Sequence, residues 1–168
     1  MIKHTNQRVG MLVDVANMYH CAKNLYGSRV NFKEILREGV AGRQLIRAVA
    51  YVIQSKTAEE ENFFEALSKV GFEVRMKELQ VFSGGAKKGD WDVGIAIDGI
   101  KMGNKLDAVI LVTGDGDYIP LVNYLKDSFG CQVEIMSFEE TTSSGLIDAA
   151  DDFVDMSQDK RKFLIKKR

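Results

Sequence analysis

Apolar and polar positions along this chain fall into blocks that switch between the two-residue rhythm of strands and the longer rhythm of helices. Val9 to Val15 reads as a first strand and Met18 to Tyr26 as the helix after it. Asn31, with Glu34 three residues on, has the look of a helix start whose apolar side is Phe32, Ile35 and Leu36. Leu45 to Ile53 is a second apolar, β-branched run, and Thr57 to Val70 is the clearest helix. Thr57 and Glu60 have capping-box spacing, Phe63, Phe64, Leu67 and Val70 form an apolar stripe, and Gly71 stands where a C-terminal cap belongs. Phe72 to Leu79 alternates apolar and charged residues, which predicts a strand with one face partly wet. A loop of glycine, serine and lysine spans Val81 to Gly89, and Trp91 to Met102 returns to helix. Asp107 to Thr113 is short and almost uninterrupted in its β-branched residues, as expected of a strand buried on both faces. Ile119 to Asp127 predicts a helix, Cys131 to Ser137 a strand, Ser143 to Ala150 a short helix and Phe153 to Met156 a last edge strand.

Strand and helix in alternation predict an α/β fold in three layers, with a mainly parallel central sheet and helices on both faces. At 168 residues the chain suits one domain, expected over residues 1–158 and followed by a basic tail over 159–168. The tail adds six positive charges and has two readings, an accessory for RNA or a partner, or a short helix docked through Phe163, Leu164 and Ile165. Acidic and basic residues nearly balance, 24 against 23, so any polyanion must be met locally. Two cysteines, Cys21 and Cys131, make neither a disulfide framework nor a zinc site. The N-terminal residues lack the apolar core of a signal peptide, and no apolar run approaches the length of a membrane span. The expectation is a soluble, cytoplasmic protein without a membrane partner, and association of copies of the chain is left open.

The chemistry concentrates at strand ends. Thr113-Gly114-Asp115-Gly116-Asp117-Tyr118 sets two carboxylates just past the strand expected to be most buried. The carboxyl edge of a parallel sheet is where open α/β folds place their ligands, and two anions held that close repel unless a cation lies between them. Aspartate and glycine are also ordinary turn residues, so Asp117 capping the next helix is the plainer reading. Asp14 closes the first strand ahead of Asn17, where helix capping again competes with a site. If the two strands are neighbours, these acids converge, which independent caps need not do. Asp92 falls in the first turn of its helix, with Asp90 as the N-cap candidate. Asp98 is displaced from Asp92 by about 120° around the helix axis, which puts it on another face.

Asp14, Asp92, Asp115 and Asp117 are hard oxygen ligands, and neither histidine lies near them in sequence, so magnesium or manganese is expected rather than zinc. Such a set suits hydrolysis of a phosphodiester. Lys87, Lys88, Lys101 and Lys105 are near enough in sequence to hold a nucleic-acid backbone, and Trp91 is either core, rim or a base-stacking platform.

Asp14-Val15-Ala16-Asn17, Lys88-Gly89-Asp90-Trp91-Asp92 with Asp98 after it, and Thr113 to Tyr118 together resemble the NYN domain, a branch of the PIN-like nucleases, and especially its LabA-like group. The resemblance runs from about Val9 to Met156 and implies a PIN-like fold and a metal-dependent ribonuclease acting on RNA. The family's acidic positions then fall on Asp14, Asp92, Asp115 and Asp117, with Asn17 and Thr113 as polar supports and Asp98 as a more peripheral acid. A phosphatase of the haloacid dehalogenase type needs a second aspartate where this chain has Ala16, which sets that reading aside. An RNA-binding or regulatory module on the same fold, with little turnover, is the alternative, because fold does not imply activity.

Overall fold

The computed structural model describes residues 1–85 and 87–166, with 87 and 88 described through their backbone. In chain order the elements are β1 (Arg8–Asp14), α1 (Val15–Tyr26), β2 (Arg29–Val30), α2 (Phe32–Val40), β3 (Gln44–Gln54), α3 (Ala58–Val70), β4 (Glu73–Glu78), β5 (Gln80–Val81), β6 (Lys87–Lys88) and α4 (Asp92–Gly103). There follow β7 (Ala108–Val112), α5 (Ile119–Phe129), β8 (Gln132–Ser137), α6 (Ser144–Ala149), β9 (Asp152–Asp155), α7 (Lys160–Phe163) and β10 (Leu164–Ile165). Six strands form one parallel sheet in the order β4-β3-β1-β7-β8-β9.

Alternation along each strand splits the apolar residues between the two faces. Met11, Val13, Ala50, Ile110 and Met136 face a core that includes Met18 of α1, Ile35 of α2 and Leu67 of α3. Leu12, Tyr51, Leu111 and Ile135 face the other, closed by Ile95 of α4, Leu125 of α5 and Leu146 of α6. This is the expected three-layer α/β arrangement, with β7 buried along its whole length.

The chain runs outward from β1 in one direction through β3 and β4, then returns and runs outward in the other through β7, β8 and β9. The loops leaving β1 and β7 therefore diverge to opposite faces, opening a crevice at their carboxyl ends. Asp14 and the Thr113–Asp117 loop lie at that crevice.

Several local expectations are corrected. Thr57 precedes α3 but makes no capping bond through its side chain; the Glu60 carboxylate instead accepts from the backbone N–H of Ser55 at 3.0 Å and from its hydroxyl. Of the α3 stripe, only Leu67 is fully buried. The stretch expected as a loop over Val81 to Gly89 contains an antiparallel pairing, Val81 with Lys87 and Gln80 with Lys88. The basic stretch from Lys160 is docked through Ile165. Phe163 is buried in the core, its carbonyl accepts from Asn31 N–H at 2.8 Å, and β10 pairs with β2. That favours docking over a free-standing tail for these residues; Lys167 and Arg168 lie outside the described residues.

Candidate metal centre

Each acid reaches the crevice because a backbone element ends there. Asp14 is the last residue of β1, and its Oδ1 accepts the Asn17 N–H at 3.3 Å, so it also caps α1. After β7, Thr113 is buried and its hydroxyl accepts the Asp115 N–H at 3.2 Å, while Asp115 Oδ1 accepts the Asp117 N–H at 2.9 Å. The cap at this turn is thus Asp115, not Asp117. Asn17 Oδ1 accepts the Gly114 N–H at 3.0 Å, tying the β1 and β7 loops together. Gly114 has no room for a side chain, since a Cβ would come within 2.9 Å of both Ser137 Oγ and Thr141 O. Asp92 begins α4, and Asp90 Oδ1 accepts its N–H at 3.3 Å.

Asp92, Asp115 and Asp117 each offer one carboxylate oxygen, all within 4.8 Å of one another. Asp14 lies beside this trio rather than within it. The Tyr118 hydroxyl stands 3.0 Å from Asp92 Oδ1 and 3.4 Å from Asp14 Oδ2, and its one proton serves one of them at a time. Among the described side chains no basic group makes a salt bridge to any of the four acids.

The electrostatic result is a raised proton affinity. Burial pushes the Asp14 carboxyl up to about 6, with the Asn17 N–H opposing and the charges of Asp92 and Asp115 adding. Asp92 is raised for the same first reason, with Tyr118 opposing and Asp115, Asp90 and Asp117 adding. Burial and the adjacent acids also push the Tyr118 phenol up, so it stays a hydrogen-bond donor. The donor set is hard oxygen and negatively charged, with no salt-bridged cation among the described residues, and such a set fits a divalent cation.

The NYN domain, as a protein family, matches residues 8–157. This chain belongs to the NYN family. It is 26% identical over 168 residues to the low amplitude and bright protein LabA of Synechococcus elongatus, covering 95% of this chain and 88% of that one. It also resembles, at 35% identity and a TM-score of 0.87, the crystal structure of a protein of unknown function from Vibrio parahaemolyticus, covering 98% of this chain and all of the other. NYN domains are a nuclease-type superfamily and typically act on RNA. The fold is accordingly PIN-like. No helix among the described residues is long and apolar enough to cross a membrane.

The remaining candidate residues of this NYN domain are scattered. Asp98 does not join the acids: it takes hydrogen bonds from the Tyr51 hydroxyl at 2.7 Å and from Arg75 at 2.5 Å. Trp91 lines the cleft wall but is packed, its indole N–H donating to Val52 O at 2.9 Å and its ring 5.3 Å from that of Tyr51. Lys101 sits in the last turn of α4, about 14 Å of helix rise from Asp92. Lys105 lies in the turn before β7, and the structure thus carries both lysines toward the opposite edge of the sheet. Lys87 and Lys88 have their side chains outside the description.

Two residues at the crevice have no place in the sequence reading. Tyr118 is one; its hydroxyl reaches Asp14 and Asp92 only because α4 packs over the end of β7. His20 is the other. It lies one turn beyond Asn17 on α1 and lines the same cleft as Asp14, Asn17, Asp92 and Asp115, so a histidine does stand at the site. Its three-residue spacing from Asn17 was the available signal.

Proposed function

We propose that this NYN domain is a metal-dependent ribonuclease that hydrolyses RNA phosphodiester bonds, with Asp14, Asp92, Asp115 and Asp117 as its acidic residues and magnesium or manganese as its ion. One observation carries the reading: three carboxylates each offer an oxygen within 4.8 Å of the others, with a fourth, partly buried, beside them and no basic side chain described among them. A cluster of negative charge repels a phosphate chain, so it serves a nucleic-acid substrate only with cations bridging the two.

In that site Asp92, Asp115 and Asp117 hold the ion, and Asp14 adds charge from beneath. Tyr118 fixes the orientation of Asp92 through its hydroxyl, and Asn17 and Thr113 hold the Gly114–Asp115 backbone in place. When bound, the ion lowers the pKa of a water and steadies charge on the phosphate. Asp98 has no part in this chemistry; with Arg75 and Tyr51 it pins α4 to the sheet.

Purified wild-type protein and Asp115→Asn, incubated with single-stranded and structured RNAs and manganese, decide the matter. Wild type is expected to cleave and to stop on chelation. The asparagine removes a ligating charge at constant size, and cleavage is expected to fall roughly a hundredfold or more, the scale on which losing one charge-stabilising group acts. Undiminished cleavage by Asp115→Asn, or cleavage that survives full chelation, would refute the mechanism. Binding of RNA by wild type without any cleavage would instead establish the binding module.

A further inference from the structure

A phosphate chain approaching the acidic crevice needs cations nearby, and Lys101 and Lys105 lie away from it. The outer face of α1 supplies them. This helix starts at the crevice, where Ala16, Asn17 and His20 line one cleft with Asp14, Asp92 and Asp115. It carries no acidic residue, whereas α2, α3, α4 and α5 each carry at least one. At helical spacing Ala16, Tyr19, His20 and Lys23 fall within an arc of about 100°, turned away from the buried Met18 and Ala22. Tyr19 is 45% exposed, and His20 and Lys23 are exposed beside it. The three side chains form one group. The rings of Tyr19 and His20 meet edge to face with their centres 5.4 Å apart, and Lys23 Nζ lies 5.7 Å from the centre of the Tyr19 ring.

The cationic surface continues beyond this group. Tyr26 follows Tyr19 by about two turns on the same side of α1, and Lys160 of α7 sets its Nζ 4.7 Å from the centre of the Tyr26 ring. Glu140 accepts a hydrogen bond from the hydroxyl of that ring at 2.9 Å, while the ammonium lies over its face. Arg161 stands exposed next to Lys160, and among the described residues none of Lys23, Lys160 and Arg161 makes a salt bridge. Tyr19 is the one large apolar side chain exposed on α1, too little to seat a protein partner. Exposed rings set among cations suit single-stranded nucleic acid, whose bases stack on the rings while its backbone follows the charge. A duplex hides its base faces and gains nothing from Tyr19.

We propose that single-stranded RNA runs from the crevice along α1, with a base stacked at Tyr19 and His20 and the backbone held by Lys23 and Lys160. The proposal rests on the RNA substrate of the ribonuclease reading and not on hydrolysis, so binding here and cleavage fail separately. The test is the affinity of the full chain for a short fluorescent single-stranded RNA, read by anisotropy in chelator, for wild type, Tyr19→Ala, Tyr19→Phe, Lys23→Glu, Lys160→Glu and Lys105→Glu. Wild type is expected to bind. Tyr19→Ala is expected to weaken binding roughly tenfold, and Tyr19→Phe, which keeps the ring, to bind like wild type. Lys23→Glu and Lys160→Glu are each expected to weaken it roughly tenfold and to flatten its salt dependence. Lys105→Glu makes the same change of charge at the opposite edge of the sheet and is expected to change little. An RNA duplex of the same sequence is expected to bind less tightly and to be indifferent to Tyr19→Ala. No binding by wild type, a loss in Lys105→Glu equal to that in Lys23→Glu, or a Tyr19→Ala variant that binds like wild type would overturn the proposal. Lys23→Glu keeps the question answerable should Lys160→Glu release α7.

Discussion

Glu134, near the start of β8, and Asp14, at the end of β1, are carboxylates set into the same sheet and surrounded in opposite ways. Glu134 is almost fully buried and receives a two-pronged pair of bonds from Arg43, at 2.7 and 2.9 Å, with Lys3 a further 3.3 Å away. Arg43 directs its other donors to the backbone carbonyls of Gly39 and Val40 and to Gln7 Oε1. At the carboxyl edge, Asp14 meets Asp92 and Asp115, and its polar partners are an amide and a phenol. Burying charge is costly unless it is paired. Among the described residues the fold supplies a cationic partner at one edge and none at the other.

The largest effect expected from this contrast is at the amino edge. Arg43→Ala leaves the buried Glu134 carboxylate with Lys3 as its remaining described cation and should lower the unfolding free energy by about 3 kcal/mol, read by urea titration. Replacing the pair together with apolar residues of similar volume should recover most of that loss. Recovery would show that the pairing, and not packing around Arg43, accounts for it.

At the carboxyl edge a substitution should act in the opposite direction. The folded pKa of Asp14, about 6, lies above its ordinary 3.8, so the native state holds this proton more tightly than the unfolded chain does. Its contribution to stability is full below pH 3.8 and is lost as pH rises through 6, a difference of up to about 3 kcal/mol at higher pH. An asparagine in its place stays neutral at every pH and can still accept the Asn17 N–H. Asp14→Asn should therefore melt higher than wild type at about pH 8 in chelator, and the gain should vanish by about pH 3. A lower melting temperature at both would place Asp14 with Glu134, as a group whose charge the fold favours.

A smaller effect is expected at the phenol between the acids. Tyr118→Phe removes one hydrogen bond to a charged group and should cost about 1–2 kcal/mol. Because that bond lowers the proton affinity of Asp14, the Asp14 midpoint followed by NMR titration should move above its present value of about 6. An unmoved midpoint would remove Tyr118 from the cluster's electrostatics.

The chain announces what local pattern can encode. Strand β7 was legible because burial on both faces leaves an unbroken apolar run, and Asn31 because its cap is made three residues away, at Glu34 N–H. The acids were legible because each stands at the end of an apolar strand or the start of a helix. Partners far apart in sequence were not. Arg43 and Glu134 are 91 residues apart, and nothing near either names the other. Asp98 is a further case, since its partner Arg75 reaches α4 from β4, 23 residues earlier. Lys101 and Lys105 are close to Asp92 in number, but a helix axis carries them away from it. Phe163 sits in a basic stretch whose composition suggests a tail, while its burial depends on a core drawn from distant parts of the chain.

If the carboxyl-edge acids are kept for a divalent cation, titrating chelator-stripped protein with manganese should raise its melting temperature. An ion that binds only the folded state raises that temperature along a saturating curve. Wild type should show this rise with manganese and with magnesium, and Asp115→Asn should show little of it although it folds. A wild-type melting temperature indifferent to both ions, or an equal rise in Asp115→Asn, would contradict the account.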